Sequence, residues 1–214
     1  TKEINFSKNY TIEKNATSNS VSYSAKNVLA KKREELTPSF TTVFPIVYFA
    51  LEKFQLENVS GSASNWKEFG KWYYNSLLSD TEEIPEVTQQ KIKSLIGNEK
   101  NPIEIAKIIY TFVQEKTRYV SVQVGIGGWK PTLAKDVDRL GYGDCKALTN
   151  YMRTLLTAAG IPSYYAIIYS DDSVISFDKD FPKFSGNHAI LMIPTEKDPI
   201  WLENTSQNVA FNHL

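Results

Sequence analysis

The chain has 214 residues, 42% of them hydrophobic, with 24 basic side chains offset by 24 acidic ones. That is enough apolar material for one good core or two small ones, while the cancelled charge argues against a polyanionic partner and so against nucleic-acid binding. A single cysteine excludes an internal disulfide, and with two histidines it leaves too few ligands for a zinc centre, so neither a metal nor a cofactor is expected.

The chain opens Thr1-Lys2-Glu3-Ile4, without Met and without the apolar core of a signal peptide, as a processed protein or an excised piece would. No apolar run approaches the ~18 residues of a membrane-spanning helix. Strands are expected over 9–13, 20–24 and 40–54, the second alternating polar with apolar or aromatic residues. Pro45 in the third marks a strand start or an edge. The cluster Lys31-Lys32-Arg33 is read as the solvated end of a strand. Gly61-Ser62-Ala63-Ser64 is read as a linker, dividing a β-rich segment, 1–62, from a second domain, 63–214.

Beyond the linker the pattern becomes helical. Asn65-Trp66-Lys67-Glu68 has capping-box spacing, and Trp66, Phe69, Trp72, Tyr73 and Leu77 form an apolar stripe of the kind used in core packing. Helices follow over 85–96 and 102–115, each with Pro near its first turn, and then a strand over 118–124. On that strand Gln123 has two readings, a donor to an oxyanion and a solvent-facing glutamine, of which the second is the commoner. Gly125-Ile126-Gly127-Gly128-Trp129-Lys130-Pro131 lacks phosphate-loop spacing. Its glycines suit a close backbone approach, and Trp129 is read as a wall of the substrate cleft, with a core anchor as the alternative.

The run Gly141-Tyr142-Gly143-Asp144-Cys145-Lys146 leads into a helix over 145–159, closed by Gly160-Ile161-Pro162. Asp144 suits the N-cap, which sets Cys145 on the first turn, where free N–H groups and the helix dipole favour a thiolate. Taken locally, a reactive thiol and a buried structural cysteine stand level. The histidines break the tie. His213 is next to the C-terminus, whereas His188 begins an apolar strand joined through 195–199 to a second apolar stretch ending in Glu203. In an antiparallel hairpin those two ends are neighbours. A helix-start thiol, an imidazole and a carboxylate are the parts of an activated cysteine nucleophile. The loop 170–186, with Asp171, Asp172, Asp178, Asp180, Phe177, Phe181 and Phe184, lacks calcium-loop spacing. It is expected to border the substrate site, with its aromatics over the cleft.

Gly143-Asp144-Cys145 before a helix that ends Ala158-Ala159-Gly160-Ile161-Pro162, then His188-Ala189, then Trp201-Leu202-Glu203-Asn204-Thr205, resembles the transglutaminase-like domains of the papain-like cysteine protease superfamily. The resemblance covers roughly 66–207. It implies an α+β fold of papain/transglutaminase type, the nucleophile helix packed on an antiparallel sheet of strands over 163–169, 186–194 and 199–204. It makes Cys145 the nucleophile, His188 the base and Glu203 the third member, where most relatives carry Asp followed by Pro. Asn204 is the alternative third member, as asparagine is in papain relatives. Residues 1–62 resemble the end of the β-sandwich that often precedes such domains. The implied chemistry is acyl transfer at a carboxamide of a peptide or protein through a thioester, most simply peptide or amide hydrolysis by a cysteine protease, with transamidation sharing the same residues. A non-catalytic binding module on the same fold is the rival class. The resemblance also implies an exported bacterial protein, periplasmic or extracellular. The sequence carries no sign of an oligomeric state.

Overall fold

In the computed structural model the described residues are 1–6, 10–32, 34–171 and 175–214, so Asn9, Arg33 and Asp172, each part of a sequence expectation, lie outside them. The first third is built of short strands: β1 (Lys2–Ile4), β2 (Ile12–Ala16), β3 (Val21–Ala25), a single helical turn α1 (Phe40–Val43), β4 (Ile46–Tyr48), β5 (Lys53–Leu56) and β6 (Val59–Ser62). They pair antiparallel as three separate ribbons, β1 with β4, β2 with β3 and β5 with β6. The single strand expected over 40–54 is thus broken in three. Pro45 supplies the cause: it forces the residue before it out of the helical region, and Phe44 is extended at φ −96°, ending the turn.

The small-residue stretch at 61–64 includes the end of a strand. Gly61 and Ser62 belong to β6, and Ala63 is buried. A Cβ on Gly61 would lie 2.6 Å from both the Phe54 ring and the Trp72 indole, so the missing side chain lets those rings close on the strand. The β5–β6 turn, Glu57-Asn58, has positive φ at both residues, the backbone that a two-residue hairpin demands.

The helical part begins with α2 (Trp66–Tyr73), where Asn65 Oδ1 accepts from the Glu68 N–H at 2.9 Å, and it continues as one wider π-helical stretch, Tyr74–Leu78. After α3 (Glu86–Ile96) and α4 (Pro102–Lys116) comes β7, only Arg118–Tyr119, not the strand expected over 118–124. Its parallel partner β8 (Tyr142–Gly143) is two residues long because the helix cap at Asp144 follows at once, which leaves the rest of the segment without a ladder. A 3-10 turn, Gly125–Gly128, and a helix with no counterpart in the sequence reading, α5 (Ala134–Leu140), connect them. Then come α6 (Cys145–Ala158) and an antiparallel sheet in the order β11-β10-β9, from β9 (Tyr164–Ile168), β10 (His188–Ile193) and β11 (Ile200–Leu202).

α6 is the axis of the molecule. Twelve of its residues, Cys145 to Leu156, are buried. Ala147, Leu148, Tyr151, Met152 and Leu155 meet α4, α5 and the sheet residues Leu191, Ile193 and Leu202 in the main core. A second, aromatic cluster gathers Phe69, Tyr73 and Leu77 with Phe54, Trp72, Trp129 and Tyr165. The fold is therefore α+β, with a helix carrying Cys145 at its start packed on an antiparallel sheet. Among the described residues no helix is long and apolar enough to cross a membrane, and no group of three or more metal-ligating side chains occurs.

Candidate active site

β8 delivers the chain to the start of α6 in close quarters: a Cβ on Gly143 would lie 2.8 Å from that of Ala147. Asp144 then turns the backbone extended and caps the helix, its Oδ1 accepting from the Ala147 N–H at 2.9 Å. Cys145 follows on the first turn and is buried. The other carboxylate oxygen of Asp144 pairs with Lys146 Nζ, and both residues are buried. A cation on the first turn of a helix opposes the dipole; Asp144 offsets it there. The sequence reading did not weigh Lys146, although an acid and a lysine flanking the cysteine were in plain view.

β10 and β11 bring the imidazole and the carboxylate together. Their register runs Leu191↔Leu202, Met192↔Trp201 and Ile193↔Ile200. One further step sets Glu203 opposite Ile190, hence on the face of His188 and diagonal to it, within reach of a long side chain. His188 Nε2 and Glu203 Oε2 are 2.7 Å apart. The second carboxylate oxygen accepts from the backbone N–H of Thr205 at 2.8 Å and from its hydroxyl at 2.6 Å, which fixes the carboxylate from behind. Asn204 faces elsewhere: its amide donates to Thr149 Oγ1 at 3.2 Å and to the Leu202 carbonyl at 3.0 Å.

The electrostatics follow from these contacts. His188 is pushed up to about 9, first by hydrogen bonding with Cys145 and then by that with Glu203, against the cost of burial. With Nε2 taken by Glu203, it is Nδ1 that is left for the sulfur. Burial raises Glu203, but the bonds from His188 and Thr205 outweigh it and hold the carboxyl below its ordinary value. At neutral pH the pair is therefore imidazolium and carboxylate.

Tyr73 is a neighbour that sequence reasoning assigned to packing alone. Its hydroxyl donates to the Trp129 carbonyl at 2.8 Å, and burial, then the charges of Cys145 and Asp144, push it up to about 12, so it stays a neutral donor. Trp129 itself is partly buried and packs edge-on to Phe184, with ring centroids 4.8 Å apart, as an anchor of the aromatic cluster. Gln123 is exposed, four residues past Tyr119, outside any strand. The aromatics of the loop after β9 are engaged with other rings: Phe184 also meets Phe54 and Phe69, Phe177 meets Trp66, and Phe181 stacks on Tyr48. From the same loop, Asp178 pairs with Lys2.

Residues 89–203 match the model of the transglutaminase-like superfamily. Among solved structures, a protein from Parabacteroides distasonis provisionally identified as a protease superposes with a TM-score of 0.57 at 17% identity, over 91% of this chain and 35% of its own length. A second, from Cytophaga hutchinsonii and provisionally identified as a cysteine protease, gives a TM-score of 0.41 at 18% identity, over 60% of this chain and 42% of its own. The chain thus spans about a third of the first of these proteins. No curated protein matches it.

Proposed function

The chain belongs to the transglutaminase-like superfamily, and on that premise we propose that it transfers acyl groups from carboxamides through a thioester on Cys145, with water as the usual acceptor. The observation that supports this reading is the His188 ring 2.7 Å from the Glu203 carboxylate, raised first by its hydrogen bonding with Cys145. In the first half, the thiolate attacks the carbonyl carbon and the carbonyl electron pair moves to oxygen. As the tetrahedral intermediate collapses, the C–N bond breaks and the His188 imidazolium gives its proton to the departing amine. In the second half, His188 takes a proton from water, the hydroxide attacks the thioester carbon, the C–S bond breaks and the acid leaves. Glu203 keeps the ring aligned and stabilises its charged form throughout.

The oxyanion forms beside the start of α6, where the Cys145 backbone N–H is free of any helical partner. We assign the second donor to Gln123. The Val120 N–H bonds to the Gly143 carbonyl at 2.9 Å, so the segment bearing Gln123 leaves β7 two residues short of the nucleophile. A peptide or protein amide is the substrate class, in keeping with the provisional naming of the Parabacteroides neighbour.

The test combines thiol alkylation with turnover. Wild-type Cys145 is expected to react with iodoacetamide at pH 7 at least about tenfold faster than in His188→Ala, because the ring that activates the sulfur is gone. Cys145→Ala should abolish hydrolysis of every responsive member of a peptide-amide panel. Equal alkylation rates in wild type and His188→Ala would instead describe a binding module that has kept the fold.

A further inference from the structure

A cavity of about 530 Å³ lies between α2, the middle of α6 and β9. That volume is in the range of small-molecule sites. Its walls are largely aromatic, with Trp66, Phe69, Tyr74 and Tyr164 contributing rings. Three of its lining residues also carry a buried polar atom with no hydrogen-bond partner among the described residues: Arg153 Nε, Ser163 Oγ and the Tyr165 hydroxyl. The only other such atom among the described residues belongs to Asn204. Buried polar atoms are nearly always satisfied, so three orphans around one aromatic cavity call for a ligand.

The chemistry of the orphans narrows what that ligand is. Arg153 is 8% exposed, and its Nη2 is already committed to Glu82 while its guanidinium lies 5.5 Å from the Tyr74 ring centre. Its charge is thus balanced, and its Nε–H is a buried donor in want of an uncharged acceptor. The Tyr165 hydroxyl lies beside that of Tyr73, which is spent on the Trp129 carbonyl, and makes no hydrogen bond of standard geometry. Like Ser163, it can donate or accept. A fixed donor and two adaptable hydroxyls among rings match a carboxamide attached to an aromatic group.

We propose that this cavity binds a neutral amide-bearing aromatic group, such as an aromatic residue within a peptide, its carbonyl accepting from Arg153 Nε and its ring lying among Trp66, Phe69 and Tyr74. Tyr73 and Tyr165 also line it. Binding there does not require the thiol, and the site stands whether or not the acyl-transfer reading does.

The experiment is titration of the full chain with N-acetyl-L-phenylalaninamide, followed by calorimetry and by the ligand-induced rise in melting temperature. Saturable binding with a Kd of about 1 mM or tighter is expected for a ligand of this size. Ser163→Ala and Tyr165→Phe should each weaken it about 3- to 10-fold. Neither should destabilise the free protein, since each removes an unpartnered hydroxyl. Arg153→Lys, which keeps the charge and loses the Nε donor, should weaken it similarly, and Cys145→Ala should bind as the wild type does. The free acid, N-acetyl-L-phenylalanine, should bind at least about threefold more weakly because Glu82 already neutralises Arg153. Absence of saturable binding, equal affinity in Ser163→Ala and Tyr165→Phe, loss of binding in Cys145→Ala, or preference for the free acid would each overturn the proposal.

Discussion

Glu203 takes a place where an aspartate on the same backbone would fall one methylene short. It sits diagonal to His188 across β10 and β11, and spans the gap to a 2.7 Å contact only because its chain is long. Two substitutions separate reach from charge. Glu203→Gln keeps the length and the Thr205 anchor but removes the charge, whereas Glu203→Asp keeps the charge and withdraws it. Both should lower the His188 pKa from about 9 toward the ordinary ~6.5, by different routes. On turnover we expect losses of about 10- to 100-fold for Gln and at least as much for Asp. The check is NMR titration of the His188 ring alongside kcat/KM. An unshifted ring in either variant would mean that Glu203 does not set its protonation. Gln123→Ala, in contrast, should leave the ring pKa unmoved and lower kcat by about 10²-fold, the size of a lost oxyanion donor.

At the scale of elements, helix starts were readable because they are local chemistry. Asn65, Asn101 and Asp144 each accept a bond from the first turn of the helix they open, and each stood before an apolar-periodic run. The strands β10 and β11 were readable from their apolar runs, and with them the approach of Glu203 to His188, while β9 came only with the resemblance. What was not readable depended on partners far along the chain. β1 has three residues and exists through β4, more than forty positions away. β7 stops at Tyr119 because β8 has no more residues to offer. α5 has no side-chain cap at Leu133 and only seven residues, so nothing in its sequence announces it. Lys146 is a case of burial that composition cannot show: its cation is tolerated only through Asp144. Asp144→Ala should therefore cost more than the ~1 kcal/mol of a lost cap, about 3–5 kcal/mol, because it strands a buried cation. Asp144→Asn keeps the cap acceptor and should cost less, and the double variant Asp144→Ala/Lys146→Met should recover most of the loss. Urea unfolding of the three measures this. If Asp144→Ala costs no more than a cap, the pair contributes nothing to the fold.

Over the whole molecule, two polar centres tie the layers together, and their titration sets how stability varies with pH. Asp138 of α5 accepts from Thr88 of α3 at 2.8 Å, from Lys116 of α4 at 2.6 Å and from Tyr151 of α6 at 2.6 Å, so one carboxylate joins four helices. Burial raises it, but those three donors outweigh burial and hold it below its ordinary value. Glu203 is lowered likewise, while His188 is raised to about 9 by Cys145 and Glu203. The signs are opposite. Groups with a depressed folded pKa stabilise the native state above the unfolded values, ~4, and lose that contribution as pH falls. His188, with a raised folded pKa, contributes fully below its unfolded value of ~6.5, and the contribution disappears as pH climbs through about 9. Unfolding free energy should accordingly be greatest between about pH 4.5 and 6.5, fall on the acid side, and fall again from about 6.5 to 9. His188→Ala should flatten the alkaline fall and make the acid one shallower, because Glu203 loses one of the donors that hold it down. Asp138→Asn should be less stable throughout and show a shallower acid fall. Denaturant unfolding at intervals from pH 3 to pH 10 is the measurement, and an alkaline fall that persists unchanged in His188→Ala would remove the imidazole from any part in it.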